Sequence, residues 1–448
     1  MAPGKPDYST LEVDDRPEHV FPEVVPKPNA NDLPEAVNTT GKEAVFPATH
    51  TPRSATICGL RKRTFWIALV TFIVVVGIAV GVGVGVGATR NDGSDDSNST
   101  SSAATSRRGV ASNSKLAANN YTDADGVEHS QLYYQDASLV IMSADYSNAT
   151  SAWTLKEVAA ENNTTDMTPR NGTPIAAGNW YTGERSSDWR VLWADTSNQI
   201  RAVYTLNESR STGWDVLGQL DNLFAIDANS SLVHYLAMCN QTTSCNSADF
   251  VGYEAPSSEG VQLQWRFSSK DSSGKLAVSN GNISPDSGTA MAVAPIPEIA
   301  KRNMSYPQVA LYFIEDDTLV ELWGGSNIEW TNNDLAPDGS KIPVDTGAQL
   351  AAMSQYREDD FNVQVFMTQA DGGVKMAYMN GDRWQWTNSV DGMEDVLPLS
   401  PIAANQLGRV YAFENGTSGR QIVEWQRITG DMPTFERVGV VNTTADTS

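Results

Sequence analysis

Residues 350–387 read LAAMSQYREDDFNVQVFMTQADGGVKMAYMNGDRWQWT. A run that opens on small residues, LAAMS, leads to an alternating stretch, VQVFM. The turn residues QADGG follow, then a second alternating stretch, VKMAYM, then NGD and a tryptophan-bearing close, RWQW. Apolar and polar side chains alternate with period two, and Gly, Asp and Asn bound each run. That is the pattern of short half-buried strands joined by turns, not of an amphipathic helix.

The unit recurs on both sides. A large apolar residue followed by Ala-Ala or a near variant appears as LAANN at Leu116, IAAGN at Ile175, FAIDA at Phe224, MAVAP at Met291, LAAMS at Leu350 and IAANQ at Ile402. The intervals are 59, 49, 67, 59 and 52 residues. The fourth copy continues VALYFIEDD, TLVELWGG, IEW, and the sixth continues RVYAFENG, QIVEWQRI. Six units of roughly 50 residues with about four strands each predict an all-β, six-bladed β-propeller. The Ala-Ala strands are expected innermost, where blades converge and small side chains fit. A two-sheet sandwich with chance similarity between segments is the competing architecture.

A small-residue inner strand, a following strand such as QLYYQD at Gln131 or RVLWAD at Arg190, an Ile-x-Glu-like strand and a closing Trp together resemble the fungal fucose-specific lectin family. The resemblance spans about 325 residues, from Leu116 to Val441. It implies a propeller that binds fucose between adjacent blades. An Arg and a Glu of one blade would bond the sugar hydroxyls, and aromatics of the next would cover its apolar face. Arg190 and Arg409 occupy the Arg position, where other repeats have Gln131, Ala310 and Gln364, and the third, SLVHYLAM, has no clear Arg. Glu321 and Glu424 occupy the Glu position, where the second and fifth repeats have Ala202 and Met376. The sixth repeat alone keeps both, and its neighbour around the ring offers Tyr146 or Trp153 as a stacking platform. An ordinary exposed ion pair is the alternative account of Arg409 and Glu424. Trp214, Trp330 and Trp384 are read as packing anchors.

Upstream the composition differs. Residues 1–60 are expected to form a disordered cytoplasmic tail, since Met1–Thr56 holds nine of the 21 prolines and few aromatics. Residues 61–88 comprise a basic flank, Arg61, Lys62 and Arg63, and an uncharged apolar run from Phe65 to Ala88, long enough for one transmembrane helix. The basic flank places the N-terminus in the cytoplasm and the C-terminal domain outside, at the plasma membrane or a secretory-pathway membrane. Glycines at 77, 81 and 85 suit a homodimer contact through the helix, or are low-complexity filler. Residues 89–114 form a Ser/Thr/Asn-rich linker with a dibasic Arg107-Arg108, and residues 115–448 the propeller. All but one of the Asn-X-Ser/Thr sequons, that at Asn38, follow the apolar run, which fits a lumenal or extracellular domain. Cys239 and Cys245 are expected to close a short loop by a disulfide, with two free thiols as the alternative, and Cys58 is a juxtamembrane cysteine.

The formal net charge of −23 argues against nucleic acid as a partner. With His129 and His234 the only histidines beyond the apolar run, no metal or cofactor is expected. The stretch SPDSG at Ser284 resembles part of a sialidase Asp-box, with Met291 where its Trp would stand. The expected function is a membrane-anchored, non-enzymatic carbohydrate-binding protein for fucosylated glycans. A protein-interaction propeller that has lost sugar binding and a glycoside hydrolase are the alternatives.

Overall fold

The computed structural model describes residues 56–57, 60–61 and 109–444, excepting 159–166, 182–186, 207–212, 219, 238–247, 257–259, 267–272, 278–283, 297–307, 325–329, 334, 336–339, 358–359, 381–382, 418 and 429–432. Near the N-terminus, β1 (Thr56–Ile57) and β2 (Leu60–Arg61) pair antiparallel. The expected membrane span at 65–88 lies outside the described residues, as do most of the expected tail and linker. Among the described residues no helix is long and apolar enough to cross a membrane.

Six four-stranded antiparallel sheets follow, each taken from consecutive chain. Blade one is β3 (Leu116–Thr122), β4 (Glu128–Gln135), β5 (Ile141–Ser147) and β6 (Ala152–Glu157). Blade two is β7 (Ile175–Tyr181), β8 (Ser187–Ala194), β9 (Ile200–Thr205) and β10 (Asp215–Val216), and blade three is β11 (Leu232–Ala237), β12 (Ala248–Glu254), β13 (Val261–Arg266) and β14 (Ser273–Ala277). Blade four is β15 (Ala292–Ile296), β16 (Gln308–Glu315), β17 (Thr318–Gly324) and β18 (Trp330–Asn333), and blade five is β19 (Leu350–Arg357), β20 (Asp360–Thr368), β21 (Val374–Asn380) and β22 (Arg383–Thr387). Blade six is β23 (Ile402–Ala404), β24 (Arg409–Gly416), β25 (Gly419–Ile428) and β26 (Thr434–Val440). The first strand of every blade lies innermost, and these strands from all six blades line an axial cavity of about 110 Å³. The predicted six-bladed propeller is therefore the architecture observed.

Each blade enters the axis through the same turn. The backbone N–H of Ser114, Thr173, Ser230, Thr289, Ala348 and Ser400 donates to the carbonyl three residues earlier. In five blades the hydroxyl then accepts the N–H of the second strand, at Gln135, Ala194, Glu254, Ile314 and Phe413, over 2.8–3.0 Å. These hydroxyls are buried, so the bond satisfies groups that water cannot reach. In blade five Ala348 replaces the hydroxyl, and Thr368 Oγ1 accepts the Gln349 N–H from the opposite strand instead. The SPDSG stretch is the fourth copy of this turn. Its Asp286 carboxylate accepts backbone N–H groups of Asp316 and Asp317.

The third blade departs from the expected register. FAIDA at Phe224 is not an inner strand; Ala225 bridges Gln199, and the inner strand is LVHYLA at Leu232. The stretch SLVHYLAM is thus innermost rather than second, and Phe250 of β12 takes the Arg position. Leu232 falls 57 residues after Ile175 and 59 before Met291, a more even spacing than the small-residue motif gave. This inner strand carries the imidazole of His234, and blade two makes room with Gly178. A Cβ there would lie 2.5 Å from His234 Nδ1.

The core is divided into six layers, one between each pair of neighbouring blades. Outer strands are more exposed, as in β6 and β22. Trp214 and Trp384 are buried anchors in two of these layers, as expected, while the side chain of Trp330 lies outside the described residues. The ring closes without strand exchange, by packing Leu116, Leu132, Tyr134 and Leu155 of blade one against Ala403, Tyr411, Phe413 and Ile422 of blade six. Polar contacts reinforce the seam: Asn405 Nδ2 donates to Ser130 Oγ at 3.0 Å, and the Gln406 N–H to Asn120 Oδ1 at 2.8 Å.

One expectation is corrected. The expected Cys239–Cys245 disulfide is withdrawn: among the described residues no pair of cysteines lies at bonding distance, and both residues lie outside them. Proximity in sequence does not by itself bring two Cβ atoms to the roughly 3.5–4.5 Å that a disulfide requires.

The His234–Gly178 contact predicts that Gly178→Ala destabilises the propeller by about 1–3 kcal/mol through overpacking. Urea unfolding should show a smaller cost of the same change in a His234→Ala background. Equal costs in both backgrounds would contradict the contact.

Candidate functional site

The groove between blades six and one gathers the residues singled out in the sequence. On β24 the period-two pleat puts Arg409 and Tyr411 on one face, and on β25 Glu424 sits directly opposite Tyr411. A register shift against β26 falls between Glu424 and Trp425, a bulge of the kind that re-aims a side chain. Arg409 Nη1 donates to Glu424 Oε1 at 2.5 Å, and Tyr411 Oη donates to the same oxygen at 3.0 Å. Tyr411 is fully buried and Glu424 nearly so, while Arg409 is partly open to the groove.

Blade one supplies the facing wall. Tyr146 on β5 pairs across the sheet with Trp153 on β6, their rings 5.3 Å apart. The Arg409 guanidinium lies over the Tyr146 ring at 4.8 Å, and Trp153 meets Tyr411 edge-on at 6.2 Å. Asn148, in the turn after β5, accepts from Arg409 Nη2 at 3.5 Å. Burial acts to depress the Arg409 pKa, but the adjacent Glu424 carboxylate more than offsets this and holds it above the ordinary value. The Tyr411 pKa is raised well above the ordinary value by burial and by Glu424, so it stays a hydroxyl donor. A guanidinium carries five N–H donors, more than Glu424 and Asn148 engage. The groove thus presents donors and an acidic acceptor beside two aromatic faces.

The other five grooves show how this constellation is lost. Between blades four and five, Tyr312 Oη donates to Glu321 at 2.9 Å and Trp384 packs edge-on at 6.0 Å. Ala310 stands at the Arg position there, and Met379, opposite Trp384, where Tyr146 stands in blade one. Between blades five and six the positions of Tyr411, Glu424 and Trp153 are taken by Phe366, Met376 and Phe435, an apolar filling with Phe366 and Phe435 5.2 Å apart. Blade three has Phe250, Gly252 and Leu263, and blade one has Gln131, Tyr133 and Ser143. Among the described residues the Arg–Glu–aromatic set is complete only at the seam.

Arg190 has its register position but different company. With Ala202 at the Glu position, its guanidinium turns to two aspartates, donating to Asp188 at 2.7–3.1 Å and to Asp249 of blade three. His234 Nε2 bonds the same Asp249 at 3.0 Å. Arg190 therefore ties blades two and three together rather than joining Arg409, Glu424, Tyr146 and Trp153. Glu321 likewise lies in a groove of its own.

Neither Tyr411 nor Asn148 is read from the sequence as a binding residue. Tyr411 follows Arg409 by two residues, so strand alternation puts both on one face. The sequence marks Asn148 as a sequon but gives no sign of its contact with Arg409, which spans a turn and the ring seam.

No protein-family model matches the chain, and no curated protein matches it. Solved structures do. A point mutant of the Aleuria aurantia lectin in complex with alpha-methyl-L-fucoside is 19% identical with a TM-score of 0.56, over 75% of this chain and 98% of that one. SapL1 lectin in complex with alpha methyl fucoside is 18% identical with a TM-score of 0.55, over 75% and 97% of the two chains. AofleA from Arthrobotrys oligospora is 15% identical with a TM-score of 0.51, over 72% and 87%. The chain is thus a six-bladed β-propeller similar in fold to fungal fucose-binding lectins.

The Arg190–Asp249–His234 network carries a pH consequence. Burial alone would raise the Asp249 carboxyl, but His234 and Arg190 outweigh it and hold its pKa below the ordinary value. A depressed folded pKa contributes stability that is complete above the unfolded value of about 4 and is lost as pH falls through the lower folded value. Asp249→Asn should cost about 3 kcal/mol at pH 7 by breaking a buried pair. It should also flatten the loss of stability below about pH 4, as read by denaturant unfolding at stepped pH.

Proposed function

We propose that the propeller binds fucosylated glycans in the groove between blades six and one. The observation that carries this reading is the meeting of Arg409, Glu424 and Tyr411 with Tyr146 and Trp153, contributed by the last and first blades. Arg409 donates to sugar hydroxyls, Glu424 accepts from them, and Tyr146 and Trp153 cover the apolar C–H face. The fold shared with fucose-bound lectins supports the choice of sugar. The activity is binding rather than turnover, and the SPDSG stretch that suggested a hydrolase is accounted for as a repeated structural turn.

The propeller is carried outside the membrane by one helix at residues 65–88, with residues 1–60 in the cytoplasm and glycines 77, 81 and 85 available for pairing two copies. The charge flanking the apolar run supports this topology. So do the sequons: Asn148, Asn171, Asn229, Asn415 and Asn442 are all exposed.

A second reading, a protein-interaction propeller, is favoured by the five grooves that lack the full set. A glycan array separates the two. The parent should retain fucosides, and Arg409→Ala should weaken them by about 1.5–3 kcal/mol, roughly 10- to 150-fold in Kd, since a charged hydrogen bond is lost. Retention of no glycan by the parent made without N-linked sugars would leave the interaction scaffold.

A further inference from the structure

The seam groove has a modification site at its mouth. Asn148, Ala149 and Thr150 form a sequon in the turn between β5 and β6, and all three residues are exposed. The Asn148 side chain points both ways across this turn. Its Nδ2 donates to Glu128 Oε2 at 2.9 Å, and its Oδ1 accepts from Arg409 Nη2 at 3.5 Å. Of the six described sequons, at Asn120, Asn148, Asn171, Asn229, Asn415 and Asn442, this is the one whose asparagine is bonded to Arg409.

We propose that Asn148 carries an N-linked glycan that caps the groove, so that this modification controls access to Arg409 and Glu424. The inference rests on the topology and sugar site proposed above. In the modification, Asn148 Nδ2 attacks the anomeric carbon of a lipid-diphosphate-linked oligosaccharide. The C–N bond forms as the C–O bond to the diphosphate breaks, the lipid diphosphate leaves with the bonding pair, and the proton lost from the amide ends on that diphosphate. One N–H remains on Nδ2 and can keep the bond to Glu128. The attached sugars then begin one amide group away from the guanidinium that a soluble ligand must reach. Exposed Asn171, Asn229, Asn415 and Asn442 make no such contact with Arg409.

The test uses the full chain made in a eukaryotic secretory host, beside Thr150→Ala, which abolishes the sequon without altering Asn148. Thr150→Ser, which preserves the sequon, is the control. Peptide mass spectrometry should find Asn148 glycosylated in the parent and in Thr150→Ser. Phenylglyoxal should label Arg409 several-fold faster in Thr150→Ala than in either, and alpha-methyl-L-fucoside should bind that variant more tightly. An unmodified Asn148, or equal Arg409 labelling in all three proteins, overturns the cap. Faster labelling without fucoside binding in any form upholds the cap and rejects the fucose ligand.

Discussion

The face of one sheet buries the face of the next, and the molecule depends on that contact being repeated around a closed ring. A four-stranded sheet exposes two broad surfaces, and neither can be left to water at this apolar content. Each blade therefore needs neighbours on both sides, and the sixth can find its second neighbour only in the first. The layer that joins Leu116, Leu132 and Tyr134 to Tyr411, Phe413 and Ile422 meets this requirement with side chains alone. Because no strand is shared there, the seam remains a groove between two complete sheets, and a set of polar and aromatic groups fits into it.

The buried hydroxyl before each inner strand addresses a different demand. Inner strands converge where water is scarce, and the backbone must leave the outer rim of one blade and dive to the axis of the next. Ser114, Thr173, Ser230, Thr289 and Ser400 satisfy the N–H exposed by that turn. Blade five achieves the same bond with the partners exchanged, Thr368 accepting from Gln349. The constraint acts on the hydrogen bond, and the residue that supplies it is free to move across the pair.

Much of this was legible in the sequence, because strand alternation and turn residues are local properties. The number of blades and five of the six inner strands follow from them. The third inner strand was hidden because its fit is a pairwise matter: LVHYLA is too bulky for the axis until Gly178 of the adjacent blade is considered, and no periodicity reports that compensation. The site divides in the same way. Arg409 and Glu424 were readable through the family resemblance, whereas Tyr411, two residues on along the same strand face, was not read. Arg190 holds the matching position on its strand yet pairs with Asp188 and Asp249, which decide where its charge goes. Register fixes the direction in which a side chain leaves the backbone; the neighbouring blade determines what it meets.

The seam also has a mechanical meaning. Blade one is the first to follow the N-terminal segment, with Val110 bridging Asp136 at its entrance, and blade six is the last. A tug on the preceding chain is borne by blade one, and the seam is the joint at which the ring would part. Any molecule gripped at once by Arg409 and Glu424 on one side and by Tyr146 and Trp153 on the other is then a clasp across that joint. Occupancy of the groove and resistance of the ring to being pulled open would then be one property.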